Sequence, residues 1–544
     1  MDIQTMKKLC IVLCAALCCS ALFAQNRVLD TRPAHGGKDL TMEDAIFKGV
    51  GYARMAGQWL GPDNFAVFDG TQWKQGSLSA RELEDFKPSL KEKAPAPCDI
   101  RLEGNSLMGI RDGKEFPIGL SEDRNIVYGG TMMRNEFGFT RGYEWAPSHS
   151  KIAFYKKDQS RVTDFPLLNI QTRTGELELL KYPMNGMDSE LLQVGVYDFV
   201  TEKTVWLAVD DFTPERFITN LAWSADDKYV FAQVLDRSQH HMRLNQYRAS
   251  DGSYVRTLFT EDNDAWVEPE DPLYPVKGRT DLYIYRTDNR DGYRNLYLLD
   301  TLGGIRRLTA IDADVAYLGN DGTAVYYTSA EVSPIENHLF SQSMKFPKKQ
   351  ALAKAKLGKP QQLTQGRGWH NVQLNEDCQW FLDHCSSLNS PGTLTLCSVD
   401  GKQRRQLVHL EDPLLEYASC TVELGTVPSA DGQWENYYRL IYPKDFDPSR
   451  RYPVILYVYG GPHSQLVRDT WLGEIRMWEM LMAQRGYLVY IQDNRGTSNR
   501  GAAFEKAINR QCGQAEMADQ MVGINWFRSL PFVDASRIGV HGWS

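Results

Sequence analysis

The stretch that decides the fold of the C-terminal part is Arg537-Ile538-Gly539-Val540-His541-Gly542-Trp543-Ser544. It begins as a short apolar strand, and its last three residues are the first three letters of a Gly-x-Ser-x-Gly nucleophile elbow. In that motif the serine lies on a tight strand-to-helix turn, which exposes its hydroxyl at the top of an α/β-hydrolase sheet. The stretch therefore predicts Ser544 as a nucleophile, with an ordinary turn serine as the alternative.

A serine nucleophile needs a base and a third group that orients the base. After such an elbow these partners come later in chain order, first an Asp or Glu and then a His. Ser544 is the last residue of the sequence. We therefore expect the triad Asp and His to be absent from this chain and the hydrolase domain to be incomplete at its C-terminus.

The segment that ends in the elbow, residues 416–544, alternates apolar runs with helical stretches. Such alternation predicts a parallel sheet, which is the sheet that the elbow requires. The runs and stretches are the strand 454–459, a helical stretch over 471–485, the strand 488–491 and a helix over 516–530, in which Met517, Met521 and Ile524 recur at helical spacing.

Tyr459 ends the first of these strands, immediately before Gly460-Gly461-Pro462. A hydroxyl at that place can donate a hydrogen bond to the oxyanion that forms when a serine attacks a carbonyl. The alternative is a tyrosine that closes the strand with its ring in the core, and spacing alone does not separate the two.

Residues 55–415 consist of short β-type runs separated by turn residues. Asp-Gly or Gly-Gly pairs at 251–252, 303–304 and 400–401 supply the positive φ angles of hairpin turns. Four-stranded units that repeat about every 40–50 residues are typical of a β-propeller, and this region has room for about seven to nine of them. A pair of β-sandwiches is the alternative.

Glu136 lies on a loop beside aromatic residues, in Arg134-Asn135-Glu136-Phe137-Gly138-Phe139. Glutamate is rarely buried without a partner, and a carboxylate that faces a cavity can bind a substrate ammonium by a charge-assisted hydrogen bond. The alternative is a solvated loop charge.

The N-terminus predicts export. Lys7-Lys8 precede an apolar run over 9–23, and Ala24 is the small residue expected before a cleavage site. The run is shorter than the roughly 20 residues of a membrane-spanning helix, so residues 1–24 are interpreted as a cleaved signal peptide, with an uncleaved membrane anchor as the alternative. The mature protein is placed in the periplasm or cell envelope. We expect residues 25–54 to pack on the hydrolase domain.

Net charge and cysteine content restrict which partners, disulfides and metal sites can be expected. The net charge of −8 gives no electrostatic reason to expect nucleic acid. In an exported protein, the cluster Cys378, Cys385 and Cys397 is the expected place for a disulfide, without a defined connectivity. A zinc site is not expected, because no matched Cys or His spacing occurs, and no metal or cofactor is predicted.

At these motifs the sequence resembles the dipeptidyl peptidase IV branch of the prolyl oligopeptidase family of serine peptidases, most closely the bacterial prolyl tripeptidyl aminopeptidases. The segments that carry the resemblance are 134–139, 145–147, 153–155, 458–463, 500–505, 516–521 and 537–544. The resemblance implies an eight-bladed propeller that caps an α/β-hydrolase domain, and full-length members that form homodimers.

The resemblance also implies roles for three residues: Ser544 as nucleophile, Tyr459 as oxyanion donor and Glu136 as the ligand of the substrate's free α-amino group. The dipeptidyl enzymes have a Glu-Glu pair where this chain reads Asn135-Glu136. A single glutamate is similar to the tripeptidyl pattern, which favours release of Xaa-Yaa-Pro from peptides with a free N-terminus. Release of Xaa-Pro dipeptides is the alternative, and a non-catalytic propeller that binds peptides is an alternative of another class. As written, the chain is expected to be an inactive fragment.

Overall fold

The computed structural model describes residues 27–30, 32, 36–52, 54–86, 98–131, 137–347 and 352–543. The predicted signal peptide, Glu136 and Ser544 lie outside these residues. The N-terminal part contains strand β1 (Val28–Leu29) and a π-helical turn (Asp44–Lys48). Within the described part of the chain, no helix is both long and apolar enough to cross a membrane.

The middle of the chain forms a β-propeller of small antiparallel sheets. The first two sheets contain β2 (Ala56–Trp59), β3 (Asn64–Phe68), β4 (Trp73–Ser77) and β5 (Glu84–Asp85), and then β6 (Asp99–Glu103), β7 (Ser106–Arg111) and β8 (Lys114–Gly119). The third sheet contains β9 (Ile126–Tyr128), β10 (Tyr143–Trp145), β11 (Lys151–Asp158), β14 (Leu191–Asp198) and β15 (Lys203–Trp206), and the separate hairpin β12 (Asp164–Asn169) and β13 (Glu176–Lys181) lies between β11 and β14 in sequence. The last four sheets contain β16 (Phe217–Trp223), β17 (Tyr229–Leu235), β18 (His241–Arg248) and β19 (Tyr254–Asp262); β20 (Tyr274–Pro275), β21 (Leu282–Thr287), β22 (Asn295–Asp300) and β23 (Ile305–Arg307); β24 (Val315–Asn320), β25 (Ala324–Ser329), β26 (His338–Lys345), β27 (Lys356–Leu357) and β28 (Gln361–Gln362); and β29 (Trp369–Leu374), β30 (Trp380–Ser387), β31 (Ser390–Ser398) and β32 (Arg404–His409).

The described residues form seven such sheets besides the β12–β13 hairpin, so eight blades stay a prediction. Apolar faces of neighbouring sheets pack on one another, as Phe231 of β17 does on Tyr283 of β21. The first sheet contacts the last: the Trp59 indole nitrogen donates to the carbonyl of Gln373 at 3.0 Å, and Phe65 and Leu394 share one buried cluster. The sheets therefore form a ring.

The C-terminal part is an α/β-hydrolase sheet with helices on both faces. Its strands are β33 (Val422–Pro428), β34 (Glu435–Ile441), β35 (Tyr452–Tyr457), β36 (Leu488–Gln492) and β37 (Val533–His541), and its helices are α1 (Met477–Gln484), α2 (Ala502–Glu505) and α3 (Ala515–Ser529), with short 3₁₀ turns at Trp471–Glu474 and Lys506–Ile508. The strand order is β1-β33-β34-β36-β35-β37, in which β35 pairs in parallel with both β36 and β37. Helices α1 and α3 pack on opposite faces of this sheet.

The N-terminal segment lies against this hydrolase sheet. Val28 and Leu29 pair with Leu424 and Glu423 of β33. The backbone N–H of Leu40 donates to the side-chain oxygen of Gln484 at 2.7 Å. These contacts hold Val28, Leu29 and Leu40 beside the C-terminal sheet, with the propeller inserted between the two in sequence.

Two helices of the hydrolase part differ in detail from their sequence patterns. The helix expected within 471–485 is broken by extended backbone at Ile475 and Arg476. Met517 and Met521 of α3 are exposed, whereas Asp519 on the opposite side of the helix is buried, because its carboxylate accepts hydrogen bonds from Arg495 and from the backbone N–H of Ala430. The helical spacing of Met517 and Met521 is thus confirmed, and these two residues mark the exposed side of the helix.

The disulfide expectation was also wrong. All six cysteines within the described residues are free thiols, Cys378, Cys385 and Cys397 among them. Cys397 of β31 pairs in register with Phe381, four residues along β30 from Cys385. That offset separates the two cysteines by roughly 13 Å along the strands, well beyond the reach of a disulfide.

Candidate active site at the domain boundary

Tyr459 lies just beyond the end of β35, at the edge of the sheet where β37 also ends. Tyr457 pairs with His541, and the backbone N–H of Val458 donates to the His541 carbonyl at 3.0 Å. Tyr459 is 45% exposed, so its ring is not enclosed in the core of the described residues. This exposure favours the interpretation of Tyr459 as a donor over the core-closing alternative, and its oxyanion role stays a prediction.

The turn after Tyr459 requires its glycines. Gly460 has a φ of +73°, and a Cβ on Gly461 would lie 2.6 Å from the Tyr459 ring. Ser544 follows Trp543 outside the described residues, but the strand that leads to it ends beside Val458. The predicted nucleophile and the predicted oxyanion donor therefore belong to chain segments that end side by side.

Glu136 itself is not described, and the residues that follow it are anchored in the propeller. Phe137 is buried, and its carbonyl accepts a hydrogen bond from the Asn220 amide at 3.1 Å. Gly138 has a φ of +79°, and any Cβ there would collide with the carbonyl oxygen of Glu270. This close approach places the segment after Glu136 against residues 268–270, which reach the hydrolase domain.

A cluster of charged side chains joins the two domains next to Tyr459. His463 lies four residues after Tyr459, and its two ring nitrogens contact Glu268 of the propeller (Nε2–Oε1 3.2 Å) and Glu505 of α2 (Nδ1–Oε1). Arg294 of the propeller donates to both oxygens of Glu505, at 2.7 and 3.0 Å. The same guanidinium lies 3.3 Å from Glu268.

The cluster shifts the pKa values of its members. Hydrogen bonds to Glu268 and Glu505 raise the pKa of His463 to about 10, against a smaller opposing effect of burial. For Glu268, burial raises the pKa, but the hydrogen bond and the charge of His463, followed by Arg294, outweigh it and hold the value at about 2. His463 is therefore a cation between two carboxylates over the physiological pH range.

Hydrogen bonds of the His463 main chain fix the loop that carries this residue. His463 has a φ of +60°, its N–H donates to the carbonyl of Gly496 at 3.0 Å, and its carbonyl accepts from the Ser498 hydroxyl at 2.8 Å. Further along, Asp493 accepts hydrogen bonds from Leu466 and Val467 at 2.8 and 3.0 Å. Burial raises the pKa of Asp493 to about 7.

A second set of contacts fixes the loop before α2 on the propeller. The backbone N–H of Gly501 donates to the buried Asp314 carboxylate at 3.2 Å, and that of Ala502 donates to the Gly292 carbonyl at 2.7 Å. Lys506 forms an ion pair with Asp288 at 2.9 Å. The position of the Tyr459 loop relative to the propeller is thus set by polar contacts on both sides.

Glu268, His463 and Glu505 also have the spacing of a metal site, since one donor atom from each lies within 4.8 Å of the others. Arg294 already donates to both oxygens of Glu505 and lies 3.3 Å from Glu268, so a metal would have to displace this guanidinium. The donor set therefore fits an ion-pair cluster and does not fit a divalent cation.

Sequence reasoning did not find this cluster. His463 follows the glycine-proline turn, but its partner Glu268 lies about 200 residues earlier, and Arg294, which binds the other carboxylate Glu505, lies about 170 residues earlier. Among single-sequence signals, only the Trp266-x-Glu268-x-Glu270 spacing, which aims two carboxylates from one extended segment, could have pointed to it.

Comparison with known proteins gives a consistent result. The model described as "Dipeptidyl peptidase IV (DPP IV) N-terminal region" matches residues 110–392, and that of the "Prolyl oligopeptidase family" matches residues 475–544. Mouse (Mus musculus) dipeptidyl peptidase 8 is 23% identical over 497 residues, which cover 76% of this chain and 54% of the relative. The chain spans about half the length of the curated relatives it matches.

Solved structures are similar in fold. A crystal structure described as a dipeptidyl aminopeptidase IV from Bacteroides ovatus has a TM-score of 0.73 and 30% identity, and the match covers 90% of this chain and 71% of that one. Dipeptidyl peptidase 4 from Porphyromonas gingivalis has the same TM-score at 22% identity, with 90% and 69% covered.

Proposed function

We propose, on the premise that the chain belongs to the dipeptidyl peptidase IV branch of the prolyl oligopeptidase family, that its full-length protein is a serine exopeptidase. It releases N-terminal tripeptides of the form Xaa-Yaa-Pro through an acyl-enzyme. The observation that carries this proposal is the exposed Tyr459 at the end of β35, beside the end of the strand that leads to Ser544.

In the proposed reaction the hydroxyl oxygen of Ser544 attacks the carbonyl carbon after the substrate proline, and a base takes its proton. The Tyr459 hydroxyl donates to the oxyanion that develops. The acyl-enzyme is then hydrolysed by water, which releases the tripeptide. The base and its orienting carboxylate are proposed to come from chain beyond Ser544, in keeping with the greater length of the relatives.

Chain beyond Ser544 would also cover an open face of the sheet. Val540 and Trp543 are 66% and 77% exposed, and β37 is the edge strand. We expect the 544-residue chain alone to have no measurable peptidase activity, because loss of triad members leaves only modest residual catalysis. Turnover of a proline-containing chromogenic peptide by this chain, abolished in Ser544→Ala, would contradict the expectation.

Glu136 is proposed to bind the substrate's free amine and so to count residues from the N-terminus. Glu136→Ala in the full-length protein removes a charge-assisted bond of roughly 1.5–3 kcal/mol, a loss of about 10- to 150-fold in kcat/KM. The matched control is a substrate acetylated at its N-terminus, which already lacks the contact and should hardly respond. Equal losses on both substrates would show that Glu136 is structural.

The tripeptidyl preference has a direct test. The full-length protein is incubated with one peptide that has proline at position two and another that has it at position three. Faster cleavage of the position-three peptide is expected. Faster cleavage of the other would replace the tripeptidyl proposal with the dipeptidyl one, and cleavage of neither would favour a propeller that binds peptides without catalysis.

Export is proposed from the N-terminal Lys7-Lys8 and apolar run alone. N-terminal sequencing of the native protein should begin at Gln25 if residues 1–24 are a cleaved signal. Recovery of the intact N-terminus from the cytoplasmic fraction would contradict it.

A homodimer of the full-length protein is proposed through the β12–β13 hairpin, which projects from the third sheet. Leu168 and Leu177 pair across this hairpin and are 63% and 68% exposed, and a second copy of the hairpin offers a matching apolar surface. Leu168→Glu with Leu177→Glu should convert a dimer to a monomer in size-exclusion chromatography with light scattering. A monomeric unmodified protein, or a variant that stays dimeric, would refute this arrangement.

A further inference from the structure

A cysteine, a histidine and an aspartate lie together on one face of the last propeller sheet. β29 and β30 are antiparallel, and His370 is directly opposite Cys385. Asp383 lies two residues before Cys385, so its side chain points to the same face of β30. The register of two adjacent strands thus brings the three groups together, far in sequence from Tyr459 and Ser544.

The imidazole of His370 connects the other two groups. Its Nδ1 lies 2.8 Å from an oxygen of Asp383, and its Nε2 lies 3.6 Å from the Cys385 sulfur. His370 and Asp383 are fully buried, whereas Cys385 is partly exposed. A nucleophile in contact with a base, and a base held by a third group, is the arrangement that activates serine and cysteine nucleophiles.

The charges around the histidine favour its protonated form. Burial lowers the pKa of His370, but hydrogen bonds to Asp383 and Cys385 outweigh this and raise it to about 10. Arg404 lies 3.9 Å from the other oxygen of Asp383. Among the described residues that oxygen has no hydrogen-bond partner.

A second histidine and its charged partners lie next to the His370 ring. The ring of His338 lies 4.9 Å from that of His370, and the His338 Nε2 is 3.1 Å from Glu336. Arg367 in turn lies 3.4 Å from Glu336. Asp383 is thus the carboxylate that contacts the His370 ring, Arg367 also pairs with Asp469 at 2.7 Å, and an imidazolium at His370 can stabilise a thiolate at Cys385.

We propose that Cys385 is the nucleophile of a modification site for small, soft electrophiles, with His370 as the proton acceptor and Asp383 as the group that orients it. With iodoacetamide as the probe, the Cys385 sulfur attacks the methylene carbon. A carbon–sulfur bond forms, the carbon–iodine bond breaks, and iodide leaves with the electron pair. The thiol proton is held on His370.

The test is the labelling rate of each cysteine as a function of pH. The folded chain is treated with limiting iodoacetamide between pH 6 and 9, and each site is quantified by peptide mass mapping. Exposed Cys512 provides a reference in the same sample. Four buried cysteines, Cys98, Cys378, Cys397 and Cys420, report on the fold, because they should stay unlabelled unless the chain opens.

A thiol with the ordinary pKa of about 8.5 loses more than about 100-fold of its thiolate between pH 9 and pH 6. We expect the labelling rate of Cys385 to fall by less than about 10-fold over this range and to exceed that of Cys512 at pH 6. A decrease at Cys385 as steep as that at Cys512, or no labelling of Cys385 at any pH, would overturn the proposal.

Variants separate activation from simple accessibility. His370→Gln and Asp383→Asn should each lower the pH 6 rate at Cys385 by at least about 10-fold and leave Cys512 unchanged, and Cys385→Ser identifies the labelled peptide. If His370→Gln exposes the four buried cysteines, Asp383→Asn and the pH profile of the unmodified chain still decide the matter. An unchanged Cys385 rate in a folded variant would show that the histidine is not its base.

Discussion

Replacing Glu505 with Gln tests whether the charge cluster stabilises the contact between the domains. The Glu505 side chain is 1% exposed and accepts two hydrogen bonds from Arg294. Breaking a buried ion pair from one side costs about 3–5 kcal/mol. After Glu505→Gln, Arg294 still has Glu268 at 3.3 Å and Glu270 at 3.5 Å, so we expect the lower end of this range, about 3 kcal/mol.

Arg294→Met should cost more, about 5 kcal/mol, because it leaves Glu268 and Glu505 with only the His463 imidazolium between them, whereas Glu270 keeps its contact with Arg286. The double variant should cost less than the sum of the two, with an interaction energy of about 2–3 kcal/mol. The assay is equilibrium unfolding in urea, followed by tryptophan fluorescence, with the first transition compared between variants.

The matched control is Arg101→Met. Arg101 also lies between two carboxylates, Glu103 at 3.0 Å and Glu115 at 2.9 Å, but this pair is exposed. Its loss should cost less than about 1 kcal/mol. If Glu505→Gln costs no more than this control, or if the effects of Arg294→Met and Glu505→Gln simply add, the cluster does not act as a buried, coupled unit.

Three further outcomes are expected. Tyr459→Phe in the full-length protein should lower kcat by about 100- to 1,000-fold, and a kcat within about threefold of the unmodified value in steady-state assays would remove Tyr459 from the oxyanion site. Because the folded-state pKa of His463 is raised to about 10, its stabilising contribution is complete below its ordinary pKa of about 6.5 and is lost as the pH rises from there to 10. The urea concentration at the unfolding midpoint should therefore fall over this pH range. In His463→Gln the midpoint should depend less on pH. Gly501→Ala should destabilise the chain by about 1–3 kcal/mol, since Gly501 has a φ of +80° and the new Cβ would lie 2.6 Å from the Tyr293 ring. An unchanged melting temperature would show that the loop can shift to accommodate the methyl group without loss of stability.

Local signals in the sequence predicted the local structure well. Asp251-Gly252 and Asp400-Gly401 lie between β18 and β19 and between β31 and β32, and Gly303-Gly304 between β22 and β23. Their hairpins are confirmed because a positive φ is a property of the turn itself, and Gly252, Gly303 and Gly401 all have it. The parallel pairing of β35 and β37 followed in the same way from two apolar runs separated by helices.

Pairings over long sequence distances could not be predicted. The helical period of α3 is visible in Met517 and Met521, but its burial is decided by Asp519 and its contact with Arg495, and no periodicity contains that pair. The contacts of His463 with Glu268, and of Cys385 with His370, depend equally on how separate strands and loops are brought together. A single sequence shows which residues are present, but it does not show which distant residues come into contact.

The pairing of β1 with β33 has a consequence for biosynthesis. Val28 and its partner Leu424 are separated by about 400 residues, and the whole propeller lies between them. At translation rates of about 5–20 residues per second, the N-terminal strand waits roughly 20–80 s before its partner has been made. Every residue of the propeller is therefore made while β1 is still unpaired, and the β1–β33 pairing of the hydrolase sheet can form only after the propeller has been synthesised.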